Sequence, residues 1–415
     1  LDVYPGGYES VAIWNVLQRN DQVDTLRKLI ALQNESDRDN YEVTYKYFLN
    51  ALITAEQSGT PYTEIISTQA MGLPALCDAV KEYNKDRENQ VVIHQYMTDL
   101  PTKGAVHFFN VLARLTREQQ EQMKLYGVGL GEEIMKDFFP KGNYFDGLYN
   151  IKASENPMVR AGFKDKSLDK SNTFHQDTQV DLKEEGLFDI AANEKVASIM
   201  LGSQASNDTV EYLESLLENG IDKVFVFGGK NENLRVKINE IIARHPEYID
   251  KIIPLGFMND TQITPLMTRS NLIITRGGGL SVMEQLAIPH NPEQSILIHH
   301  ANSVAKNLTS GISWEDENVN KLMSSLREKG IYTEKTCPDR AKRHIAEALL
   351  ISALKNKNQD MDISLLINHL HTLSSTTLQH CAKWLAADQN DELRNHFSVF
   401  LKNESLDKEN EPVDA

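Results

Sequence analysis

The sequence predicts an α/β fold with a doubly wound parallel sheet, and three observations support it. Between residues 195 and 300, short apolar runs alternate with amphipathic helical patterns, which is typical of parallel strands covered by helices on both faces. One run, residues 272–275, leads through Arg276 into three glycines and another helical pattern. The chain has 415 residues, which is too long for one ordinary core, so we expect two such units.

The first unit is expected over residues 1–165. A glycine pair at positions 6 and 7 precedes a helical pattern over residues 11–17, and strand-like runs follow at residues 63–68 and 90–99. A polar stretch without apolar periodicity comes next, which indicates a linker, placed at residues 166–190.

The second unit is expected over residues 191–335. Its apolar runs predict strands at residues 196–201, 223–227, 251–258, 272–275 and 295–298. After Pro338 the pattern becomes wholly helical, so residues 336–401 are predicted to form an extra C-terminal helical segment. Residues 402–415 are predicted to be a disordered tail.

The glycine segment at residues 276–281 predicts a phosphate site with a ribose contact. Backbone N–H groups at a helix start lack partners and carry the positive end of the helix dipole, so a diphosphate can dock there without a lysine. Glycines let the ligand approach the backbone closely. Glu284 only accepts hydrogen bonds when ionised, which suits ribose hydroxyls. The alternative is a glycine-rich turn followed by a Ser281/Glu284 capping pair.

The order of motifs in the second unit resembles the nucleotide-sugar half of GT-B glycosyltransferases. The motifs are Gly-Ser-Gln at residues 202–204, Gly-Phe-Met-Asn-Asp at 256–260 and Arg-Gly-Gly-Gly-Leu-Ser-Val-Met-Glu at 276–284. Lipid II synthase and the diacylglycerol glycosyltransferases are relatives that it resembles. The resemblance covers roughly residues 190–335. It implies two Rossmann-like doubly wound domains that face a cleft.

The resemblance also implies a role for each motif residue. Ser203 and Gln204 face the diphosphate and the cleft, the backbone of Phe257 and Met258 reads the base, usually uracil, and Glu284 holds the ribose. The diphosphate cradle that the resemblance implies is Gly277, Gly278, Gly279, Leu280 and Ser281, directly after Arg276.

The residues that contact the donor sugar are implied by the last motif of the resemblance. An acidic and Asn-containing cluster fits best at Asp316 and Glu317. The alternatives are that Asn302 and Ser303 take this role, or that the acidic pair is simply a solvated helix start.

Two adjacent histidines, His299 and His300, follow a predicted strand and raise the question of a metal. Neighbouring residues on a strand point to opposite faces, so we expect them to line the cleft and predict no metal ligands. The one Asp-x-Asp spacing, Asp360 to Asp362, falls between C-terminal helical patterns instead of at a strand end.

The sequence offers two candidates for the residue that would deprotonate an acceptor. The histidine that relatives carry after the first glycines is missing here, and Glu9 is the nearest group able to accept a proton. Asp99, at the end of a predicted strand, is the second candidate. An ordinary helix-start carboxylate for Glu9 and a loop-capping aspartate for Asp99 remain open.

Composition indicates which partners and which cellular setting the sequence favours. With 43 basic and 59 acidic residues, for a net charge of −16, the chain does not favour a nucleic-acid surface. No apolar run approaches the roughly 20 residues that cross a bilayer. The three cysteines lack pairing or metal spacing, which favours a cytoplasmic setting.

The sequence therefore predicts a glycosyltransferase that moves a sugar from a UDP-sugar to an acceptor. The acceptor could be a protein, a small molecule or a lipid, and the nucleotide sugar is a co-substrate, so we expect no cofactor. We expect a metal-independent reaction that inverts the anomeric centre. The alternatives are a nucleotide-sugar epimerase and a non-catalytic protein that binds a nucleotide sugar.

Overall fold

The computed structural model describes residues 7–100, 111–128, 151–154, 158–164, 176–182, 186–300 and 316–355. These residues form a four-stranded and a six-stranded parallel sheet, a two-stranded antiparallel hairpin and the helices around them. The predicted α/β fold with parallel strands is confirmed. Predictions for residues 1–6, for Asn302 and Ser303, and for residues 356–415 lie outside the described residues.

The first sheet follows the order of the chain. Its strands are β1 (Glu64–Ser67), β2 (Val92–Met97), β3 (Met123–Val128) and β4 (Ile151–Ser154). The helices of this region are α1 (Gly7–Arg19), α2 (Val23–Asp39), α3 (Tyr41–Gln57), α4 (Leu73–Asn84) and α5 (Arg117–Gln120). Pro74 occupies the first turn of α4, where its fixed φ is favourable and its missing N–H costs nothing.

The second sheet reverses its strand order at the centre. Its strands are β7 (Val196–Met200), β8 (Lys223–Phe227), β9 (Ile252–Leu255), β10 (Leu272–Arg276), β11 (Ser295–His299) and β12 (Tyr332–Thr336). They lie in the order β12-β11-β10-β7-β8-β9, all parallel. This is a doubly wound sheet whose switch point lies between β7 and β10, where such sheets bind ligands.

Helices cover both faces of the second sheet. They are α6 (Val210–Glu218), α7 (Glu232–Arg244), α8 (Asp260–Arg269), α9 (Gly279–Ala287), α10 (Asp316–Glu328) and α11 (Ala341–Lys355). Ile274 packs with Leu213 and Ile345 on one face. Ile273, its neighbour, packs with Leu266 on the other face. Alternation along a strand thus supplies two cores.

The hairpin lies within residues 166–190, the predicted linker. Its strands are β5 (Thr178–Asp181) and β6 (Leu187–Ile190). Val180 and Ile190 are buried in the same core as Leu266, so this part of the segment packs as a piece of the second unit. No helix of the described residues is long and apolar enough to cross a membrane.

Candidate functional site

A cavity of about 350 Å³ lies at the carboxyl ends of β7 and β10, where the strand order of the second sheet reverses. Six of the residues singled out in the sequence line it: Ser203, Phe257, Met258, Leu280, Ser281 and Glu284. The other lining residues are Arg160, Met200, Gly202, Phe227, Gly229, Gly256, Ile263, Thr275 and Gln285.

Helix α9 presents its N-terminus to this cavity. The helix begins at Gly279, Gly278 precedes it in extended conformation, and this N-cap residue, a glycine, provides no side-chain capping hydrogen bond. The Ser281/Glu284 capping pair, the alternative left open above, is therefore not formed. Leu280 and Ser281 of the first turn line the cavity, which leaves an uncapped helix start as the kind of anion site described above.

Glu284 lies in the cavity wall, buried to 7% exposure. Its Oε1 lies 3.1 Å from Nη2 of Arg160. Burial raises the pKa of Glu284, and the Arg160 guanidinium opposes that rise. The carboxylate therefore faces the cavity with one cationic partner and with lone pairs left for a ligand.

Arg160 reaches the cavity because the turn after it is fixed on helix α8. The Gly162 N–H donates to Oδ2 of Asp260 at 2.7 Å. A Cβ at position 162 would lie 2.9 Å from the Asp260 backbone carbonyl carbon, so only glycine allows this approach. The sequence analysis did not identify Arg160, because it is 124 residues from Glu284 in a stretch without periodicity.

The wall opposite α9 comes from the loops after β7, β8 and β9. Phe257 is 63% exposed, whereas Met258 is buried. Gly229 has a φ of +55°, and a Cβ there would lie 2.0 Å from the Ser203 carbonyl oxygen. The loops that follow β7 and β8 can therefore meet only through a glycine.

One wall atom is a buried acceptor without a partner. Oε1 of Gln285 has no hydrogen-bond partner among the described residues, and Gln285 lines the cavity beside Glu284. A buried polar atom without a partner is costly, but Gln285 is only 1% exposed, so this oxygen lies behind the cavity surface.

Gln204, Arg276 and the three glycines of the predicted cradle, Gly277, Gly278 and Gly279, are not among the residues that line the cavity. Oε1 of Gln204 accepts a hydrogen bond from Arg19 at 2.9 Å. Arg276 is buried to 8% exposure, and its Nη1 lies 3.2 Å from Oδ1 of Asp21. Both side chains therefore connect the second sheet to the end of α1 and the turn that follows it.

Asp21 stands at the centre of a buried polar cluster. Its Oδ2 lies 3.4 Å from Nε2 of His299 and accepts a hydrogen bond from the Ser206 hydroxyl. Burial alone would raise the pKa of Asp21, but His299, Arg276 and Ser206 lower it below its usual value. Burial and the nearby Asp21 raise the pKa of Asp208. The sequence analysis missed both aspartates, because neither belongs to a recognisable local motif.

The two candidate bases lie in different surroundings. Asp99 approaches the start of α9: a Cβ on Gly279 would lie 3.3 Å from its Oδ1. Burial raises the pKa of Asp99. Glu9 is exposed in the first turn of α1, and neither Glu9 nor Asp99 lines the cavity. The structure thus brings Asp99, and not Glu9, next to the predicted diphosphate cradle.

Asp316 and Glu317 begin helix α10. The structure describes the backbone of these two residues but not their side chains. Their role toward a donor sugar stays a prediction.

No protein-family model and no curated protein matches the chain. Among solved structures, it is similar to HepE from Anabaena in complex with UDP-glucose, at 13% identity over 79% of this chain and 82% of that one, with a TM-score of 0.33. It is similar to Os79 from O. sativa in complex with UDP, at 12% identity over 78% and 81%, with a TM-score of 0.37. It is also similar to a UDP-glucosyltransferase from Polygonum tinctorium, at 10% identity over 78% and 79%, with a TM-score of 0.37.

Proposed function

We propose that this protein is a GT-B glycosyltransferase that moves a sugar from a UDP-activated donor to an acceptor. One observation carries the proposal: an uncapped helix start, a buried carboxylate and a loop with an exposed aromatic side chain converge on one cavity at the switch point of a doubly wound sheet. Each alone is common in α/β proteins. Together they match the three parts of a nucleoside diphosphate.

The parts of the donor would be divided among three segments. The backbone N–H groups at the start of α9, around Leu280 and Ser281, would hold the diphosphate. Glu284 would accept hydrogen bonds from the ribose hydroxyls with the lone pairs that its contact with Arg160 leaves free. The loop that contains Phe257 and Met258 would contact the base edge through its backbone. Lipid II synthase and the diacylglycerol glycosyltransferases share this division of roles, by the resemblance described above.

The reaction would be a direct displacement at the anomeric carbon. The acceptor nucleophile forms a bond to that carbon from the face opposite the diphosphate, the bond to the diphosphate oxygen breaks, and UDP leaves with the electron pair. The dipole and N–H groups of α9 stabilise the charge on the leaving group, the role that a divalent cation has in other transferases. One displacement inverts the anomeric centre.

Asp99 is the side chain that we propose to take the acceptor proton. A base must lie near the reacting hydroxyl and have a suitable pKa. Asp99 lies against the start of α9, and burial raises its pKa, which makes it a better proton acceptor than an exposed aspartate. The buried free thiols of Cys77 and Cys337 fit a reducing compartment, so we place the reaction in the cytoplasm. The acceptor remains a protein, small molecule or lipid.

Calorimetric titration with UDP of the Glu284→Ala variant tests the donor site. Loss of charge-assisted hydrogen bonds worth about 1.5–3 kcal/mol should raise the Kd at least roughly tenfold. Glu284→Gln, which keeps the shape, should show a similar loss. Glu240→Ala, on an exposed face of α7, should leave the Kd unchanged. Unaltered UDP affinity in both Glu284 variants would exclude the ribose contact.

Incubation with a panel of UDP-sugars tests the reaction. Release of UDP, slow with water and faster with an acceptor, is the expected result. Conversion of the sugar without UDP release would indicate an epimerase. Binding without either reaction would indicate a non-catalytic protein.

A further inference from the structure

We propose that Asp21, Asp208 and His299 form a binding site for a divalent transition metal of the zinc class. Each offers one ligand atom, and these three atoms lie within 4.8 Å of one another. The residues come from three distant segments: the turn after α1, the loop after β7 and the end of β11. None of them lines the cavity assigned to the nucleotide, so the proposal is independent of the proposed reaction.

The distance between Asp21 and His299 fits two ligands of a shared metal as well as it fits a direct ion pair. Oδ2 of Asp21 lies 3.4 Å from Nε2 of His299, beyond the usual N–H···O range of about 2.7–3.2 Å. With metal bonds of about 2.0–2.2 Å, two ligands of a tetrahedral zinc lie about 3.4 Å apart. The two side chains are therefore spaced as neighbouring ligands.

His299 supplies an observation that is independent of the two carboxylates. The residue is 2% exposed, and apart from the 3.4 Å contact with Oδ2 of Asp21 its Nε2 has no polar partner among the described residues. Burying a ring nitrogen without a partner is costly. A metal that accepts the Nε2 lone pair removes this cost.

Tyr212 holds the imidazole in the orientation that a metal ligand needs. Its hydroxyl lies 2.8 Å from Nδ1 of His299, and Tyr212 is fully buried. When Nδ1 donates its proton to this hydroxyl, Nε2 presents a lone pair to the two carboxylates. Ligating histidines commonly have such a partner on the other ring nitrogen.

The charges around the site allow a divalent cation. Asp21 and Asp208 supply two negative charges, and Nη1 of Arg276, 3.2 Å from the other Asp21 oxygen, supplies one positive charge. The Ser206 hydroxyl donates to Oδ2 of Asp21, which leaves that oxygen a lone pair for the metal. The imidazole nitrogen favours zinc and similar transition metals over magnesium or calcium, which prefer oxygen ligands alone.

Asp208 gives the site a route to solvent. It is half-buried, whereas Asp21 and His299 are buried, so a metal and its fourth ligand, a water, can enter from that side. Binding would connect the turn after α1 to the ends of β7 and β11, next to Arg276 and the glycine cradle. We expect the metal to stabilise this junction.

Titration of the full chain, first treated with EDTA, tests the site with metal alone. Zn²⁺ should bind one to one by calorimetry, Co²⁺ should give the visible absorption bands of a tetrahedral site, and Zn²⁺ should raise the Tm. Loss of the group that hydrogen-bonds the other nitrogen of a ligating histidine commonly costs about 10–100-fold in affinity, so Tyr212→Phe should fall in that range. Asp208→Asn and His299→Gln should exceed it.

Matched variants separate this site from other metal binding. His300→Gln and Asp250→Asn, at residues outside the cluster, should bind Zn²⁺ like the unaltered protein. Absence of both calorimetric heat and cobalt bands would overturn the proposal. Zn²⁺ affinity that survives Asp208→Asn, a half-buried and isosteric change, would overturn it even if His299→Gln fails to fold. A UDP titration on the same sample reports the nucleotide site separately.

Discussion

The two parallel sheets differ in how their strands are buried. Every residue of β10 in the second sheet is buried, whereas β1 in the first sheet alternates between exposed and half-buried positions. Ile274 of β10 is 0% exposed and Ile66 of β1 is 73% exposed. The second sheet is covered on both faces, and the described part of the first sheet has an exposed edge strand. A precise ligand site is better supported by a sheet that is covered on both faces, as the second sheet is.

Several contacts between the two regions are polar. Arg19 donates to Gln204, Asp21 pairs with Arg276, and Asp99 lies against the start of α9. Such contacts are weaker and more sensitive to pH than core packing. The difference suggests that the site depends on the second sheet for its shape and on the first region for its charges.

The largest expected effect comes from matched cavity-forming substitutions in the two sheets. Ile274→Ala should lower the free energy of unfolding by about 2–5 kcal/mol, because the site is sealed on both faces. Ile66→Ala should change it by less than about 0.5 kcal/mol. Chemical denaturation followed by circular dichroism measures both. Equal losses would break the contrast between the sheets.

The pH dependence of UDP binding should separate the contribution of the charged groups at the site from that of the shape provided by the second sheet. Burial raises the pKa of Glu284, with Arg160 opposing, and the ribose contact requires the ionised form. As the pH falls below that pKa, affinity should fall about tenfold per pH unit. Arg160→Ala removes the cation, raises the pKa further and should move the loss to higher pH. Arg160→Lys should keep the original profile, and identical profiles for all three proteins would contradict the pairing.

Asp99 should lower the stability of the fold at neutral pH while it supports the transfer activity. Its pKa is raised by burial, so its contribution to stability is full below the unfolded pKa of about 3.9 and is lost as the pH rises through the folded pKa. Asp99→Asn should therefore raise stability at pH 7 by about 0.5–2 kcal/mol, with the gain vanishing near pH 4, while transfer activity falls. Thermal unfolding across pH, with exposed Asp86→Asn as the control, measures this. A gain that is independent of pH would rule out the buried charge as its cause.

Prediction from the sequence succeeded best for strands whose burial produces a continuous apolar run in the sequence. The runs at residues 223–227 and 272–275 became β8 and β10 nearly residue for residue, because parallel strands buried on both faces read as continuous apolar stretches. Strand β3 was not predicted. Exposed Lys124 and half-buried Tyr126 interrupt its apolar positions, and the short strand β4 offers too few residues to show a period.

The residues of the candidate site also divide into those that a local sequence motif predicts and those that no local motif predicts. Ser281 and Glu284 were found because one helical turn places them near each other and the glycines mark its start. Arg160, Asp21 and Asp208 were not found, since their partners lie far away in the chain and the contacts form only after the two regions pack. Local motifs reveal the cradle, and tertiary contacts supply the charges around it.

The smallest expected effect tests whether the polar junction stabilises the fold. Nη2 of Arg19 donates to Oε1 of Gln204 at 2.9 Å and to the Lys230 carbonyl at 3.0 Å. Arg19→Ala should cost about 0.5–1.5 kcal/mol, while exposed Arg38→Ala should cost less. A double-mutant cycle with Gln204→Ala isolates the pair, and because a contacting pair couples by about 0.5 kcal/mol or more, additive losses would mean that this contact does not join the two regions energetically.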